Sequence, residues 1–228
     1  MQIQFAYIGK MLRIIGGAVP YTLFITAVSG ILGLLLGLLL AVARGRGKGV
    51  LYHVLGVYVS FFRSTPCIIH IFLAYYGVPL LMKLLIPGWE DTNGRTFYAI
   101  LALSLFNGSH MSEFIRPAYL SVEKGQLDAA DSIGMGRWKR FVRVIFPQML
   151  PVAMPNLENA MIELVKDTSV LYMIGLTDIM GKAKKLITND YGVRKLEVYL
   201  AAACLYWVIT FVVSKAFRQL SKKCIREW

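Results

Sequence analysis

GQLDAADSIGMGRWKRFVRVIFPQ, at residues 125–148, is the stretch of this sequence that decides the fold. It interrupts an otherwise apolar chain with a polar and strongly basic segment. Its basic side chains stand close together around Trp138: Arg137, Lys139, Arg140 and Arg143. In a chain that crosses a membrane, loops rich in Lys and Arg stay on the cytoplasmic side, so we place this segment in the cytoplasm.

Two glycines divide the segment into two helical parts. Leu127 to Ile133 contains helix-forming residues with a small Ala129-Ala130 face, and Gly134 and Gly136 then allow a sharp turn before a second helical run begins at Arg137. Small residues let a neighbouring helix approach the backbone closely. We therefore predict a short helix-turn-helix outside the membrane that serves as a docking surface for a partner protein.

The same residues resemble the EAA loop of the membrane subunits of bacterial ABC importers, whose general form is E-A-A-x-x-x-G followed further on by I-x-L-P. Asp128-Ala129-Ala130 corresponds to E-A-A, and Gly134 corresponds to the motif's glycine. Ile145-Phe146-Pro147 corresponds to the I-x-L-P at the end of the motif. Asp128 replaces the usual Glu and Phe146 the usual Leu, which keeps charge and apolarity. The resemblance implies that these residues contact an ATPase: Gly125, Asp128, Ala129, Ala130, Gly134 and Gly136.

The flanking sequence is similar to the polar-amino-acid branch of these permeases, the histidine and glutamine permease-like family. The similar segments are FRSTP at 62–66, SEFIRPAYLSVEKGQLDAA at 112–130 and LVKDTSVLYMIGLTDI at 164–179, and the similarity extends from near Tyr21 to the C-terminus. This resemblance implies an all-α integral membrane protein of the type I importer (MetI-like) kind. Such a protein has five transmembrane helices and a cytoplasmic coupling helix.

The resemblance also implies an assembly in the bacterial plasma (inner) membrane. Two permease subunits, identical or homologous, would bind two cytoplasmic ATPases that hold ATP and Mg²⁺, and an extracytoplasmic binding protein would deliver an amino acid. This chain itself would bind no cofactor and no metal and would catalyse no reaction. The substrate would be a polar, basic or sulfur-containing amino acid such as cystine, translocated by alternating access.

Composition independently indicates an integral membrane protein, because the 228 residues are 57% hydrophobic and 17% charged, with a mean hydropathy of +0.57. Positive-inside signals and contact with anionic lipid headgroups explain the formal charge of +12 better than binding to nucleic acid does.

Three cysteines lack CxxC spacing and indicate neither a disulfide nor a metal site: Cys67, Cys204 and Cys224. The N-terminal segment lacks the pattern of a cleavable signal peptide, so we expect the first span to be retained.

Apolar runs predict five spans within a permease domain at residues 18–217, between an amphipathic lead at 1–17 and a basic cytoplasmic tail at 218–228. The spans are expected at residues 18–43, 50–82, 96–115, from near 147, and 196–217. Basic residues that follow the first span place the N-terminus outside and the C-terminus in the cytoplasm: Arg44, Arg46 and Lys48. An outer helix is expected at residues 172–185, where a docking donor protein would account for three lysines: Lys182, Lys184 and Lys185.

Three glycines lie on nearly one face of the first span: Gly30, Gly33 and Gly37. This face allows another helix to pack closely against the span. Glycine is also common in membrane helices without such a role, so both interpretations stay open.

The second span is broken by Arg63-Ser64-Thr65-Pro66. Proline removes a backbone donor and biases the residue before it away from the helix, so carbonyls near Phe62 lose their partners. Such a break survives in a membrane only inside protein or beside a water-filled cavity. Arg63 then has two interpretations, a role in a pathway or a structural role such as pairing with Glu113 or Glu163.

The fourth span carries a polar stripe along one helical side: Asn156, Asn159, Glu163, Lys166 and Asp167. The stripe either lines a pathway or reflects an ion pair of Lys166 with one of the two carboxylates. In the family that the chain resembles, an amino acid can bind at mid-membrane, and these are the candidate substrate-binding residues: Ser64, Thr65, Glu163, Lys166, Asp167 and Thr168. Three more are candidates for pathway or structural roles: Arg63, Pro66 and Asn159. Carboxylates suit a substrate ammonium group, while Lys166 or Arg63 suits a carboxylate.

Other function classes have less support in the sequence. No GxxxxGK[ST] motif occurs, so the chain is not expected to bind ATP. The three histidines do not stand at metal-ligand spacings, and His70 is interpreted as a packing residue. A secondary active transporter or a channel for a small polar solute is the alternative, but such proteins need no large docking loop and usually contain internal repeats.

Overall fold

The computed structural model describes residues 4–45 and 49–226, with side chains as far as residue 222. All regular elements in these ranges are helices, which confirms the predicted all-α fold. They are α1 (Phe5–Gly16), α2 (Val19–Arg44), α3 (Val50–Ser64), α4 (Cys67–Phe72), α5 (Val78–Leu85), α6 (Arg95–Leu120), α7 (Lys124–Ser132), α8 (Arg137–Arg140), α9 (Phe146–Asp167), α10 (Ile179–Asn189) and α11 (Lys195–Arg226). Two π-helical turns and one 3-10 helix join them: Leu73–Gly77, Phe141–Ile145 and Thr168–Ile174.

Within the described residues, three helical runs are long and apolar enough to cross a membrane: Val19–Arg44, Cys67–Leu85 and Lys195–Lys222. They correspond to the first, second and fifth predicted spans. α6 and α9 contain 26 and 22 residues, which also suffices to cross the hydrocarbon core, although polar side chains lower their hydropathy. Some residues behind the sequence-based predictions lie outside the described part, either entirely or in their side chains. They are Arg46 and Lys48 after the first span, Lys223 and Arg226 in the basic tail, and Cys224 among the cysteines.

The fourth span begins earlier than the sequence predicted. α8, the π-helical turn and α9 form one continuous helical run from Arg137 to Asp167, rather than a span that starts near Pro147. Pro147 lies in the first turn of α9, directly after the π-helical turn, where the locally widened helix accommodates a residue that has no N–H group. The second helix of the predicted helix-turn-helix and the fourth span are therefore one continuous helical element.

α2 and α6 pack side by side, and the glycine face predicted for the first span makes this possible. A Cβ atom on Gly37 would lie 2.8 Å from Met111 Cβ and 3.0 Å from the Gly108 carbonyl oxygen of α6. A Cβ atom on Gly33 would lie 3.3 Å from Asn107 Nδ2. Close helix packing is thus confirmed as the role of this face, and it occurs within the chain.

The bundle has two distinct ends, named here after the short helices that cover them. At the α7 end, Leu127 is buried in a cluster with Ile115 of α6 and Met149 of α9. At the opposite, α10 end, Ile179 of α10 is buried in a cluster with Ile15 of α1. α2 runs from the α10 end to the α7 end, so α1 lies at the α10 end.

The predicted outer helix begins at Ile179 rather than near Tyr172. Gly175 has a φ angle of 79°, a left-handed conformation that ends the 3-10 helix before α10 starts. Asp178 then caps α10 by accepting hydrogen bonds from the backbone N–H groups of Gly181 (2.9 Å) and Met180 (3.3 Å). Its carboxylate also accepts a hydrogen bond from the Tyr206 hydroxyl at 3.2 Å, which fastens α10 to α11.

Candidate functional site

The turn after α7 presents the predicted docking residues on the surface. Asp128 and Ala129 are exposed, whereas Ala130 is 3% exposed and packs against the chain's own core. The expected Ala129-Ala130 face is therefore divided, with Ala129 outward and Ala130 inward. Gly134 has a φ angle of 70°, and its N–H donates to the Asp131 carbonyl oxygen at 2.9 Å, which ends the helix. The predicted glycine turn is confirmed.

A shallow groove of about 580 Å³ is lined by residues 133–139 beside this turn. Ile133 and Trp138 are 75% and 76% exposed at its edges, and Arg140 forms an ion pair with Asp131 across the turn. Large apolar side chains exposed in a polar loop indicate a surface that another protein covers. The apolar character of Ile133 fits a buried helix position equally well, so the sequence offered no sign of its exposure.

The predicted break in the second span lies between α3 and α4, where Thr65 and Pro66 are extended. The Thr65 hydroxyl donates to the Phe61 carbonyl oxygen at 2.8 Å, which gives a partner to a carbonyl in the last turn of α3. His70 Nε2 lies 2.6 Å from the same hydroxyl, so the imidazole is the donor in this second bond. His70 is 3% exposed and stacks on Phe62, as expected of a packing residue.

Arg63 pairs with Glu113, which is one of the two partners that the sequence left open. Its Nη1 atom lies 3.7 Å from Glu113 Oε2 of α6, and Glu113 also forms an ion pair with Arg44 of α2. The carboxylate thus connects α2, α3 and α6. The side chain of Arg63 is still 45% exposed, next to the exposed Ser64 at the helix break.

The polar stripe of α9 occupies one exposed face of the helix. Four of its members are exposed: Asn156, Asn159, Glu163 and Lys166. Asp167, at the end of the stripe, is half-buried. Ala160 and Leu164, on the adjoining side of the helix, are fully buried. Among the described residues, no ion pair joins Lys166 to Glu163 or Asp167. The ion pair that the sequence allowed is therefore not formed, and the stripe stays an exposed polar face.

The helix break and the end of the stripe come together in the fold. α4 packs against the 3-10 helix that continues α9, and Cys67 at the break contacts the cluster of Leu164 and Leu171. Thr168, the last predicted substrate residue, is fully buried and its hydroxyl donates to the Val165 carbonyl oxygen at 2.7 Å. It lies behind the stripe and not on it.

The predicted outer lysines are partly engaged within the chain. Lys184 Nζ lies 5.4 Å and 5.5 Å from the ring centroids of Tyr172 and Tyr199, and its hydrogen bond with Tyr199 raises the pKa of the lysine. Lys185 is exposed and donates to the Thr177 hydroxyl at 2.9 Å. In the described ranges, no cluster of His, Cys, Asp or Glu side chains could hold a metal ion.

Comparison with known proteins identifies the architecture that unites these features. Residues 33–226 match the family described as binding-protein-dependent transport system inner membrane component. The chain belongs to this family. It is thus a permease subunit of an ABC importer and not a catalytic subunit, which rules against the secondary transporter and channel alternatives.

The relatives of this permease are named as components of amino-acid transport systems. It is 36% identical to the L-cystine transport system permease protein TcyL of Bacillus subtilis over 95% of this chain and 89% of that protein. It is 29% identical to the glutamine transport system permease protein GlnP of Escherichia coli over 98% of both chains. A solved amino acid ABC transporter with histidines has a chain that superposes with a TM-score of 0.79 at 26% identity, covering 98% of this permease and 100% of that chain. The type I importer fold predicted from the sequence is confirmed.

Proposed function

We propose that this permease carries an amino acid along the polar stripe of α9. The break between α3 and α4 lies beside the end of this stripe. The supporting observation is the exposure of the stripe, since a lipid-facing helix would not present that many polar groups. Ser64 is exposed at the helix break, and Thr65 beside it is half-buried. A water-filled path between permease subunits suits all these groups.

The stripe offers complementary charges to both ends of a zwitterion. Glu163 and Asp167 suit the ammonium group, and Lys166 suits the carboxylate because no partner within the described chain neutralises it in an ion pair. Arg63 is a second candidate for the carboxylate, although it shares Glu113 with Arg44. We propose that Thr168 supports the end of α9 from behind. These groups match the zwitterion that all amino acids share. The proposed substrate class, a polar, basic or sulfur-containing amino acid such as cystine, is supported by the relatives, which include an L-cystine transport system permease.

The α7 end is assigned to the cytoplasm, with the N-terminus outside and the C-terminus inside. The support is the accumulation of basic side chains at this end, as the positive-inside rule requires: Arg44, Arg116, Arg137, Lys139 and Arg143. α1 and α10 then lie at the external surface, where a substrate-binding protein would dock near Lys185.

In this proposal, a separate ATPase supplies the energy for transport. A cytoplasmic ATPase dimer holds ATP and Mg²⁺ and docks on Gly125, Asp128, Ala129, the turn from Gly134 to Gly136, and the adjoining groove. Ala130 contributes by anchoring α7 to the bundle. Because α8 and α9 form one continuous element, closure of the ATPases would move the inner end of the polar stripe directly. A second permease subunit, identical or homologous, completes the path, and lipid surrounds it.

The test is ATP-dependent uptake by the complete complex, purified with its ATPase and reconstituted in vesicles with the binding protein present. Labelled cystine, glutamine and arginine are offered separately. Saturable uptake of at least one, which stops when ATP is omitted, is the expected result. Uptake that proceeds without ATP, or no uptake of any amino acid by a complex whose ATPase is active, would contradict the proposal.

A further inference from the structure

Four charged side chains meet where α2, α3 and α6 converge at the α7 end. Glu113 pairs with both Arg44 and Arg63. Arg116 lies one helical turn beyond Glu113, and no ion pair reaches it from the described part of the chain. Two arginines share the Glu113 carboxylate and a third lies one turn away, which leaves an excess of positive charge at this place.

Tyr52 of α3 brings two of these arginines to one location. The Cζ atoms of Arg44 and Arg116 each lie 5.8 Å from the centroid of its ring. These cation–π contacts orient both guanidinium groups around the same aromatic side chain. Neither contact consumes an N–H donor, so both groups retain donors for a ligand.

Both arginines contain a buried donor without a partner. The Nε atoms of Arg44 and Arg116 are buried, and neither has a hydrogen-bond partner within the described structure. The side chain of Arg44 is only 10% exposed, so bulk water does not compensate for the missing bond. Buried donors without partners are unfavourable, and they indicate a ligand that brings acceptor oxygens.

We propose that Arg44, Arg116 and Tyr52 bind the phosphate group of an anionic phospholipid. Guanidinium groups bind phosphate oxygens through paired N–H donors, and basic pockets between transmembrane helices recognise lipid headgroups in this way. The outer side of α3 carries exposed Val54 and Val57, an apolar surface on which acyl chains of lipid can pack. Only the assignment to the cytoplasmic leaflet rests on the orientation proposed above, and binding itself does not depend on it.

The experiment measures binding of dioleoylphosphatidylglycerol to the purified permease complex by native mass spectrometry, with phosphatidylcholine as the background lipid. Arg116→Gln is the main variant, because Arg44→Gln would also leave Glu113 without its partner. We expect Arg116→Gln to weaken phosphatidylglycerol binding about tenfold, since a charge-assisted phosphate contact is lost. Arg116→Lys should weaken it less, because it keeps the charge but loses the planar pair of donors.

Arg143→Gln is the matched control, because it removes the same charge from an exposed arginine at the same end. It should change phosphatidylglycerol affinity by less than about twofold. Thermal unfolding of each variant in phosphatidylcholine verifies that it is folded. Equal binding by the unaltered permease and Arg116→Gln, or an equal loss in Arg143→Gln, would overturn the proposal. If inorganic phosphate displaced the lipid at comparable concentration, the site would bind a free anion and the lipid assignment would be wrong.

Discussion

Glu163 and Asp167 lie one helical turn apart, where α9 meets the 3-10 helix beside the break in the second span. Glu163→Gln combined with Asp167→Asn removes both negative charges with little change in shape. We expect the KM for amino-acid uptake to rise about tenfold or more, because a charge-assisted hydrogen bond to a substrate ammonium contributes about 1.5–3 kcal/mol. Vesicle uptake with a labelled amino acid measures this change.

Glu158→Gln is the control for this pair. Glu158 is on the same helix, but it contacts Ser214 and Arg218 of α11 instead of facing along the stripe. Its replacement should leave the KM for uptake near that of the unaltered permease. If the double variant also transported with an unchanged KM, the stripe would be structural only.

The hydroxyl of Thr65 holds the helix break together by bonding both the Phe61 carbonyl and His70. Thr65→Val keeps the shape but removes the hydroxyl that bonds the Phe61 carbonyl and His70. We expect a loss of about 1–3 kcal/mol in the free energy of unfolding, which appears as a lower Tm in detergent. Thr188→Val removes a similar hydroxyl bond on an exposed face of α10 and should cost clearly less. Equal losses in the two variants would contradict a special role for Thr65.

At this scale the sequence predicts local features well and distant pairings poorly. The break at Pro66 was predictable because proline acts on its own backbone and on the residue before it. Whether Arg63 pairs with Glu113 or Glu163 depends on how α3 packs against α6, which no local pattern specifies. The bond between Thr65 and His70 was missed for the same reason, since it requires the geometry on both sides of the break.

Among the elements, α7 and its terminal turn are the part on which coupling depends. Gly134→Leu places a side chain at a φ angle of 70°, where a non-glycine residue costs about 1–2 kcal/mol and the turn is distorted. We expect this variant to insert into the membrane but to lose amino-acid-stimulated ATPase activity of the complex. Membrane content and ATP hydrolysis are measured together.

Gly88→Leu is a matched control for backbone strain. Gly88 has a φ angle of 79° and, like Gly134, would place a Cβ atom with no atom within 4 Å, but it lies in the loop before α6. Its replacement should cause similar strain and leave stimulated ATPase activity intact. Retained stimulation in Gly134→Leu would contradict the docking role of the turn.

The contact between α2 and α6 provides a second test at the scale of elements. Gly37→Leu would force the two helices apart, because even a Cβ atom would lie 2.8 Å from Met111 Cβ. We expect a destabilisation of about 1–3 kcal/mol or more, since side-chain insertion into a packed contact strains the backbone. Gly56→Leu on α3, where no atom lies within 4 Å of the added Cβ, should change Tm little. A normal Tm for Gly37→Leu would show that the close approach is dispensable.

Helix boundaries were predicted where an interruption is local and missed where it is not. The first span ends at Arg44, close to the prediction, because charged residues follow the apolar run directly. The fourth span was placed too late, since its prolines suggested a start that the π-helical turn makes unnecessary. The outer helix was placed too early because the left-handed Gly175 was not recognised as its boundary.

For the whole molecule, hydropathy and the EAA loop sufficed to predict a type I importer permease. α6 and α9 carry too many polar residues to stand out by hydropathy alone, and their places in the fold follow from the family. The polar stripe was predictable because helical periodicity places its members on one side. The proximity of the stripe to the helix break was not, because residues about a hundred positions apart meet only through tertiary packing.

The central claim is that α7 and its turn couple this permease to a separate ATPase. The most direct measurement is purification of the detergent-solubilised permease from its native host membranes, with copurifying proteins identified by mass and assayed for ATPase activity in the presence of candidate amino acids. We predict recovery of a soluble ATPase whose association is lost when Asp128 and Gly134 are replaced and is retained in Gly88→Leu. Recovery of the permease without any ATPase, or an association that the changes in α7 leave intact, would contradict the account.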